Sequence, residues 1–232
     1  MPIQHLKLYH SPASRSTRVK WLMHELLGDA FEVERVDIYG AEQYSDEFLR
    51  VNPNHGVPVL EITWDNGPIQ RQIESAAIVA FLADAYPDAG LAPPSGATPA
   101  RADYLQMLHF ASTWMDMMLW QIRAHEHVLP DAERDPRTVV RYRDKFREEI
   151  EPQLIARLRR APFACGETFS AADCVLGYTV FWARAYGLCR DDAFQGYISR
   201  LSKRPAFAAA FSDARDVVID ARSYPLSQHF TG

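Results

Sequence analysis

The pattern of apolar and polar positions changes character once along the chain, and that change divides it in two. Gln4 to Tyr9 carries Leu6 and Leu8 on one side and predicts a strand that ends at the Ser11-Pro12 break. From Ser14 the spacing shifts. Val19, Leu22, Met23, Leu26 and Leu27 fall at the intervals of an amphipathic helix, which Gly28 closes. Phe31 to Ile38, with Val33 and Val36, predicts a second strand, whereas the polar stretch around Gly40 to Asp46 has no period that selects helix over coil. Val57 to Ile62 and Pro68 to Ile73 flank Asp65-Asn66-Gly67, the signature of a β-hairpin. Ser75 to Ala85, with Ile78, Val79, Phe81 and Leu82, predicts a short helix that stops before Tyr86-Pro87, because a proline pushes its predecessor out of the helical region. The first half therefore reads β-α-β, then β-β-α.

Pro87, Gly90, Pro93, Pro94, Gly96 and Pro99 interrupt all periodicity and mark a linker. Beyond it only helices are predicted: Arg101 to His127, Pro136 to Arg160, Ser170 to Tyr186, Asp191 to Ser202 and Pro205 to Arg222. The expected division is an α/β domain over 1–87, a linker over 88–99 and an all-α domain over 100–232. Ser170-Ala-Ala-Asp173 opens the third of these helices as a variant capping box, and Asp173 is read as structural.

Composition narrows the field. The 232 residues are 47% hydrophobic and 24% charged, enough to bury a core without metals or disulfides. A net charge of -5 argues against a nucleic-acid partner, whose phosphates would call for clustered Lys and Arg. The Arg-rich stretch from Arg137 to Arg160 is interleaved with Asp144, Glu148, Glu149 and Glu151 and reads as a solvated face with charge pairs. No window is apolar enough for a membrane span and no leader pattern precedes the first strand, so a cytoplasmic location is expected. Cys165, Cys174 and Cys189 match no zinc spacing and suggest reduced thiols. His125 and His127 lie about 200° apart on a helix and do not form a metal pair. No metal is expected.

No phosphate loop, dinucleotide fingerprint or nucleophile elbow is present. What remains is a small set in the first half: Ser14 at a helix start, Val57-Pro58 at a strand start, and Glu74-Ser75 at another helix start. Each has a structural explanation, as an N-cap, an edge-strand proline or a dipole-supporting pair. In combination and order they say more. Leu8-Tyr-His-Ser-Pro-Ala-Ser14-Arg-Ser-Thr-Arg18-Val, then Asn52-Pro-Asn-His-Gly-Val57-Pro58-Val-Leu, then Ile73-Glu74-Ser75, resemble the cytosolic glutathione S-transferase family. The helical second half, its capping box and Arg204-Pro205-Ala206-Phe207 sit where that family has counterparts.

The resemblance implies a thioredoxin-like N-terminal domain, a helical bundle behind it and a serine-type site in which Ser14 stabilises the glutathione thiolate. Ser16 is the nearest competitor, and Tyr9 lies within a strand. It also implies that glutathione lies along Val57 with Pro58 cis, its γ-glutamyl end at Glu74 and Ser75 and its glycyl carboxylate near His55. Gly56 departs from the family pattern, which often has a polar side chain there. A small apolar electrophile would enter a cleft lined by the first long helix, with Tyr104, Met107, Ala111 and Trp114 as candidates, although such a stripe is equally a helical core. A homodimer and a role in detoxification are further expectations of the family. The alternative is the same fold without turnover, as a ligand-binding or protein-interaction module. A disulfide reductase would call for a cysteine near position 14, and none is there.

A serine hydroxyl is too weak an acid to act as a base, so its role is to donate a hydrogen bond to the thiolate. A bond to a charged group is worth about 1.5–3 kcal/mol, or roughly one to two pKa units. From a thiol pKa near ~8.5, a drop of about two units raises the thiolate fraction at neutral pH from roughly 3% to roughly 75%. The lower basicity returns part of that gain, so proximity of the electrophile must supply the rest.

Overall fold

A computed structural model describes residues 2–216. The chain divides into two compact units. Among the described residues, those up to Ala92 and those over 203–216 form the first, and Pro93–Ser202 forms the second. The sequence places the segment from Lys203 in the helical half, whereas its apolar residues pack on the first helix and draw it into the first unit. Residues 217–222, predicted to continue the last helix, lie outside the described residues.

In the first unit, β1 (Ile3–His10), α1 (Ser16–Leu27), β2 (Glu32–Arg35), β3 (Val59–Trp64), β4 (Ile69–Ile73) and α3 (Ser75–Ala85) follow the predicted order, and a helix that the sequence did not predict, α2 (Asp46–Val51), is inserted between β2 and β3. The sheet order is β2-β1-β3-β4, with β1 parallel to β2 and antiparallel to β3, and β3 antiparallel to β4. Strand β2 is shorter than its pattern suggested because it is an exposed edge, although the Val36 N–H still bonds the His10 carbonyl at 2.8 Å. The unassigned polar stretch forms a 3-10 turn, Glu42–Tyr44, and leads into α2, where Ser45 caps the Phe48 N–H at 3.2 Å.

Alternation along the strands fills both faces of the sheet. Tyr9, Val36 and Val59 meet Phe48 of α2 on one face, and the Tyr9 ring sits edge-on to Phe48 with centroids 6.1 Å apart. Tyr9 is therefore a core residue. Leu6, Leu8, Leu60 and Ile62 supply buried strand positions, and Val19, Leu22, Met23, Ile78, Val79 and Leu82 supply those of α1 and α3. The helix α10 (Pro205–Phe211) returns to α1: Phe207 meets Trp21 edge-on at 5.0 Å and stacks on Phe211 at 4.3 Å. Arg204 forks onto Glu25 with bonds of 2.6 and 2.7 Å. Buried aromatic pairs add about 0.5–1.5 kcal/mol beyond the area they bury, which makes this segment a fixed part of the unit. A short 3-10 helix, Ser212–Asp216, follows.

The second unit is helical. A helical run over 99–128 comprises α4 (Pro99–His109), a π-helical stretch (Phe110–Met115), α5 (Asp116–Arg123) and a second π-helical stretch (Ala124–Val128). Another over 136–160 comprises α6 (Pro136–Lys145), a π-helical stretch (Phe146–Ile150) and α7 (Glu151–Arg160). The sequence anticipated both as single helices and did not anticipate the π-helical turns that interrupt them. Helices α8 (Ala171–Ala185) and α9 (Asp192–Leu201) complete the unit. Charge pairs such as Arg147–Asp144 and Lys145–Glu149 decorate the Arg-rich run, while the Arg157 guanidinium grips Asp103 with two bonds of 2.8 Å. The capping box forms as read. No helix among the described residues is long and apolar enough to cross a membrane.

Candidate functional site

Sheet register explains why three distant stretches meet. Tyr9 pairs with Val59 and Val59 with Ile73, so the end of β1, the start of β3 and the end of β4 lie side by side. The segments joined to them share that end of the sheet: the 11–15 loop with Ser14, then Val57-Pro58, then Glu74-Ser75. The Val57-Pro58 peptide is cis. Val57 itself precedes β3 and stands outside its ladders, which begin at Val59. A buried Arg18 on α1 donates to the Ser75 hydroxyl at 3.2 Å and ties the two helix starts together. In the sequence Arg18 served only to mark the position of Ser14, and its link to Ser75 is visible only in the fold.

Glu74 stands just before α3 with φ 73° and ψ 105°, a conformation that L-residues seldom adopt. Such a backbone costs on the order of 1–3 kcal/mol and concentrates where a site needs a particular presentation of the chain. Here it leads directly into the N-terminal amides of an eleven-residue helix, whose partial positive charge suits a carboxylate. His55 is exposed, has φ 44° and packs against the Tyr44 ring at 4.8 Å. Its loop is braced by Asn52, whose side chain donates to the Gly56 carbonyl at 2.7 Å and accepts the Asn54 N–H at 3.0 Å.

The helix predicted from Ser14 starts two residues later, at Ser16, with Arg15 at its cap position. Ala13 is left-handed at φ 56°, and Ser14 spends its side chain on the loop instead of on a cap. Ser14 Oγ lies 2.7 Å from the Ser11 carbonyl, 2.7 Å from Ser16 Oγ and 3.2 Å from the Ser16 N–H, yet the residue stays partly exposed. Ser16 is fully buried and surrounded: His10 Nδ1 lies 2.7 Å from its Oγ, and the Ser11 N–H donates to it at 3.1 Å. His10 Nε2 in turn meets Asp213 Oδ2 at 3.1 Å, and Lys20 donates to the same oxygen at 2.6 Å. Burial lowers the His10 imidazole pKa, opposed by its bond to Asp213. Burial opposes ionisation of Asp213 too, but the bonds from His10 and Lys20 hold its carboxyl well below the usual range. None of His10, Lys20 and Asp213 was singled out from sequence. The pair His10 and Asp213 is 203 residues apart, and no local pattern joins them.

The four residues proposed for an electrophile lie in the second unit and divide. Tyr104, Met107 and Ala111 are buried, as packing of a helical core requires, while Trp114 is 40% exposed with Lys145 Nζ 5.2 Å from its ring centre. His125 accepts the Asp135 N–H at 3.0 Å, and His127 packs against Tyr186. Cys165, Cys174 and Cys189 form no disulfide with one another. Cys174 and Cys189 are buried, and burial pushes the Cys165 thiol up to about 12.

Residues 4–84 match the glutathione S-transferase N-terminal domain, and residues 136–212 match the C-terminal domain of the same proteins. This chain belongs to the glutathione S-transferase family. Among similar proteins is the disulfide-bond oxidoreductase YfcG of Escherichia coli, 27% identical over 90% of this chain and 96% of the relative. Glutathione S-transferase GstA of Escherichia coli O157:H7 is 26% identical over 89% and 98%. Of solved structures, a glutathione transferase from Methylococcus capsulatus is 30% identical with a TM-score of 0.72, covering 91% of this chain and all of its own. A sphingomonad glutathione S-transferase complexed with glutathione has 26% identity and a TM-score of 0.76 over the same shares.

Proposed function

We propose that this protein is a glutathione transferase in which the Ser14 hydroxyl holds the glutathione thiolate and a small apolar electrophile accepts the sulfur. One observation carries the reading: a partly exposed Ser14, a cis Val57-Pro58 and a strained Glu74 beside Ser75 share one end of the sheet. An extended tripeptide fits that arrangement. Its cysteinyl backbone would pair with Val57, as a peptide adds to a sheet edge. Its γ-glutamyl carboxylate would meet the Ser75 hydroxyl and the first amides of α3, and its ammonium would meet the Glu74 carboxylate. His55 would serve the glycyl carboxylate. Full burial of Ser16 favours Ser14 as the hydroxyl that touches sulfur.

Of the candidate electrophile contacts Trp114 is exposed, whereas Tyr104, Met107 and Ala111 are buried. Retention on immobilised glutathione, followed by conjugation of a chlorodinitrobenzene-type substrate, tests the proposal. A disulfide substrate belongs in the same assay, given the name of the YfcG relative. If the protein is retained but turns over only the disulfide, thiol conjugation is not its reaction; if it is not retained, the binding assignment fails.

A further inference from the structure

Behind Ser14 runs a chain of hydrogen-bonding groups that thiolate stabilisation alone does not call for. Ser14 Oγ lies 2.7 Å from Ser16 Oγ, which lies 2.7 Å from His10 Nδ1, and His10 Nε2 lies 3.1 Å from Asp213. Every member behind Ser14 is buried except the carboxylate at the far end, which is partly so. Donor counting fixes the sense of the chain. The Asp213 carboxylate only accepts, so neutral His10 carries its hydrogen on Nε2 and offers the Nδ1 lone pair. Ser16 then donates to Nδ1 at 2.7 Å in preference to the Ser11 carbonyl at 3.1 Å, because a second lone pair cannot face the Nδ1 lone pair at that distance, and it presents lone pairs to the Ser11 N–H and to Ser14. Ser14, with one hydrogen, points it at Ser16 or at the Ser11 carbonyl and presents a lone pair outward.

Resting on the assignment of Ser14, we propose that His10 takes the glutathione proton through Ser14 and Ser16 and is held for that task by Asp213. The S–H bond breaks as a Ser14 O–H forms. The former Ser14 hydrogen passes to Ser16, and the former Ser16 hydrogen passes to Nδ1. Each hydroxyl ends neutral, and the products are a thiolate and an imidazolium. After transfer every bond is reversed: Nδ1–H donates to Ser16, Ser16 to Ser14 and Ser14 to the sulfur, so the chain stabilises the anion it created. When the thiolate forms its carbon–sulfur bond, the imidazolium proton leaves by the same path for solvent or for the displaced group. The logic is that of a Ser-His-Asp triad lengthened by one hydroxyl. His10 touches no substrate atom and acts as a positioning residue and proton reservoir.

The charged groups around His10 suit this role. Burial lowers the His10 pKa and the charges of Lys20 on α1 and Arg35 on β2 lower it further, which favours the neutral, proton-accepting ring, while the bond to Asp213 and its charge act the other way and support the imidazolium.

The test is proton bookkeeping in the full-length protein with reduced glutathione. Thiolate is read from its ultraviolet absorbance, and protons released are read calorimetrically in buffers of different ionisation heat. The wild type is expected to form thiolate near neutral pH without releasing a matching proton. Ser16→Ala, which removes one hydroxyl and little volume, is expected to lose about tenfold in kcat/KM and to move the acid limb of its pH profile toward the free thiol value near ~8.5. A merely structural role would lower the rate without moving the limb. Wild-type protein that releases one proton per thiolate overturns the relay, as does Ser16→Ala with an unmoved limb, and both outcomes leave Ser14 in place. Ser14→Ala with undiminished thiolate overturns the site assignment itself.

Discussion

Each unit contains a buried polar network built on an aspartate, and the two are built to opposite ends. In the second unit Asp173 accepts the Ala164 N–H at 2.7 Å and the Tyr197 hydroxyl at 2.8 Å on one oxygen. On the other it accepts the Ser170 N–H at 2.8 Å and the Ser170 hydroxyl at 3.1 Å. It is fully enclosed and every donor terminates on it. In the first unit the network starting at Asp213 is open: it passes through His10 and Ser16 and ends on a partly exposed hydroxyl with a lone pair to spare. A closed network secures a loop, a helix start and a neighbouring helix. An open one leads somewhere.

The largest effect expected from this contrast is on stability. Asp173→Ala strands the Ala164 amide, the Ser170 groups and the Tyr197 hydroxyl in the interior, and a loss of about 3 kcal/mol or more is expected in denaturant unfolding. A loss below about 1 kcal/mol would contradict the description of this network as closed and structural. Ser14→Ala should invert the pattern, lowering conjugation turnover by about tenfold or more with a stability change under about 1 kcal/mol and nearly unchanged glutathione binding. Unchanged turnover would remove Ser14 from the reaction.

Glu74→Ala and Ser75→Ala test whether the open end faces a peptide. Each is expected to weaken glutathione binding by about tenfold in a calorimetric titration, the order expected for a lost charge-assisted bond. Wild-type affinity in both would take α3 out of the site. The smallest effect is on pH dependence. His10 and Asp213 both have lowered pKa values when folded, so the unfolded chain binds more protons in acid and stability should fall with falling pH. The contribution is fully present above pH 6.5 for His10 and above 3.8 for Asp213, and is lost as pH falls through their folded values. Asp213→Asn should flatten the lower part of that slope, and an unaltered slope would place the acid sensitivity elsewhere.

Much of the frame was legible because it rests on local pattern. The α3 helix runs from Ser75 to Ala85 as read, the hairpin turns at Asp65-Asn66-Gly67, and the capping box at Ser170 forms from residues three apart. What escaped was set by long-range packing. Nothing near His10 indicates that its strand ends in a hydroxyl relay, and nothing near Asp213 marks it as the partner. That pairing exists because Phe207 and Phe211 find Trp21 and because Arg204 finds Glu25. The stripe from Tyr104 to Ala111 is apolar in the sequence and buried in the structure, but periodicity alone does not separate a pocket wall from a core.

The return of α10 to α1 also bears on the order in which the molecule is made. A ribosome that has released the whole sheet and all the residues assigned to glutathione has not yet synthesised Asp213. Until more than a hundred further residues emerge, His10 waits without its carboxylate and Trp21 without its aromatic cover. On the proposed relay, the nascent first unit holds its candidate binding residues well before it holds the carboxylate of its proton chain, and a segment translated late completes what the first strand begins.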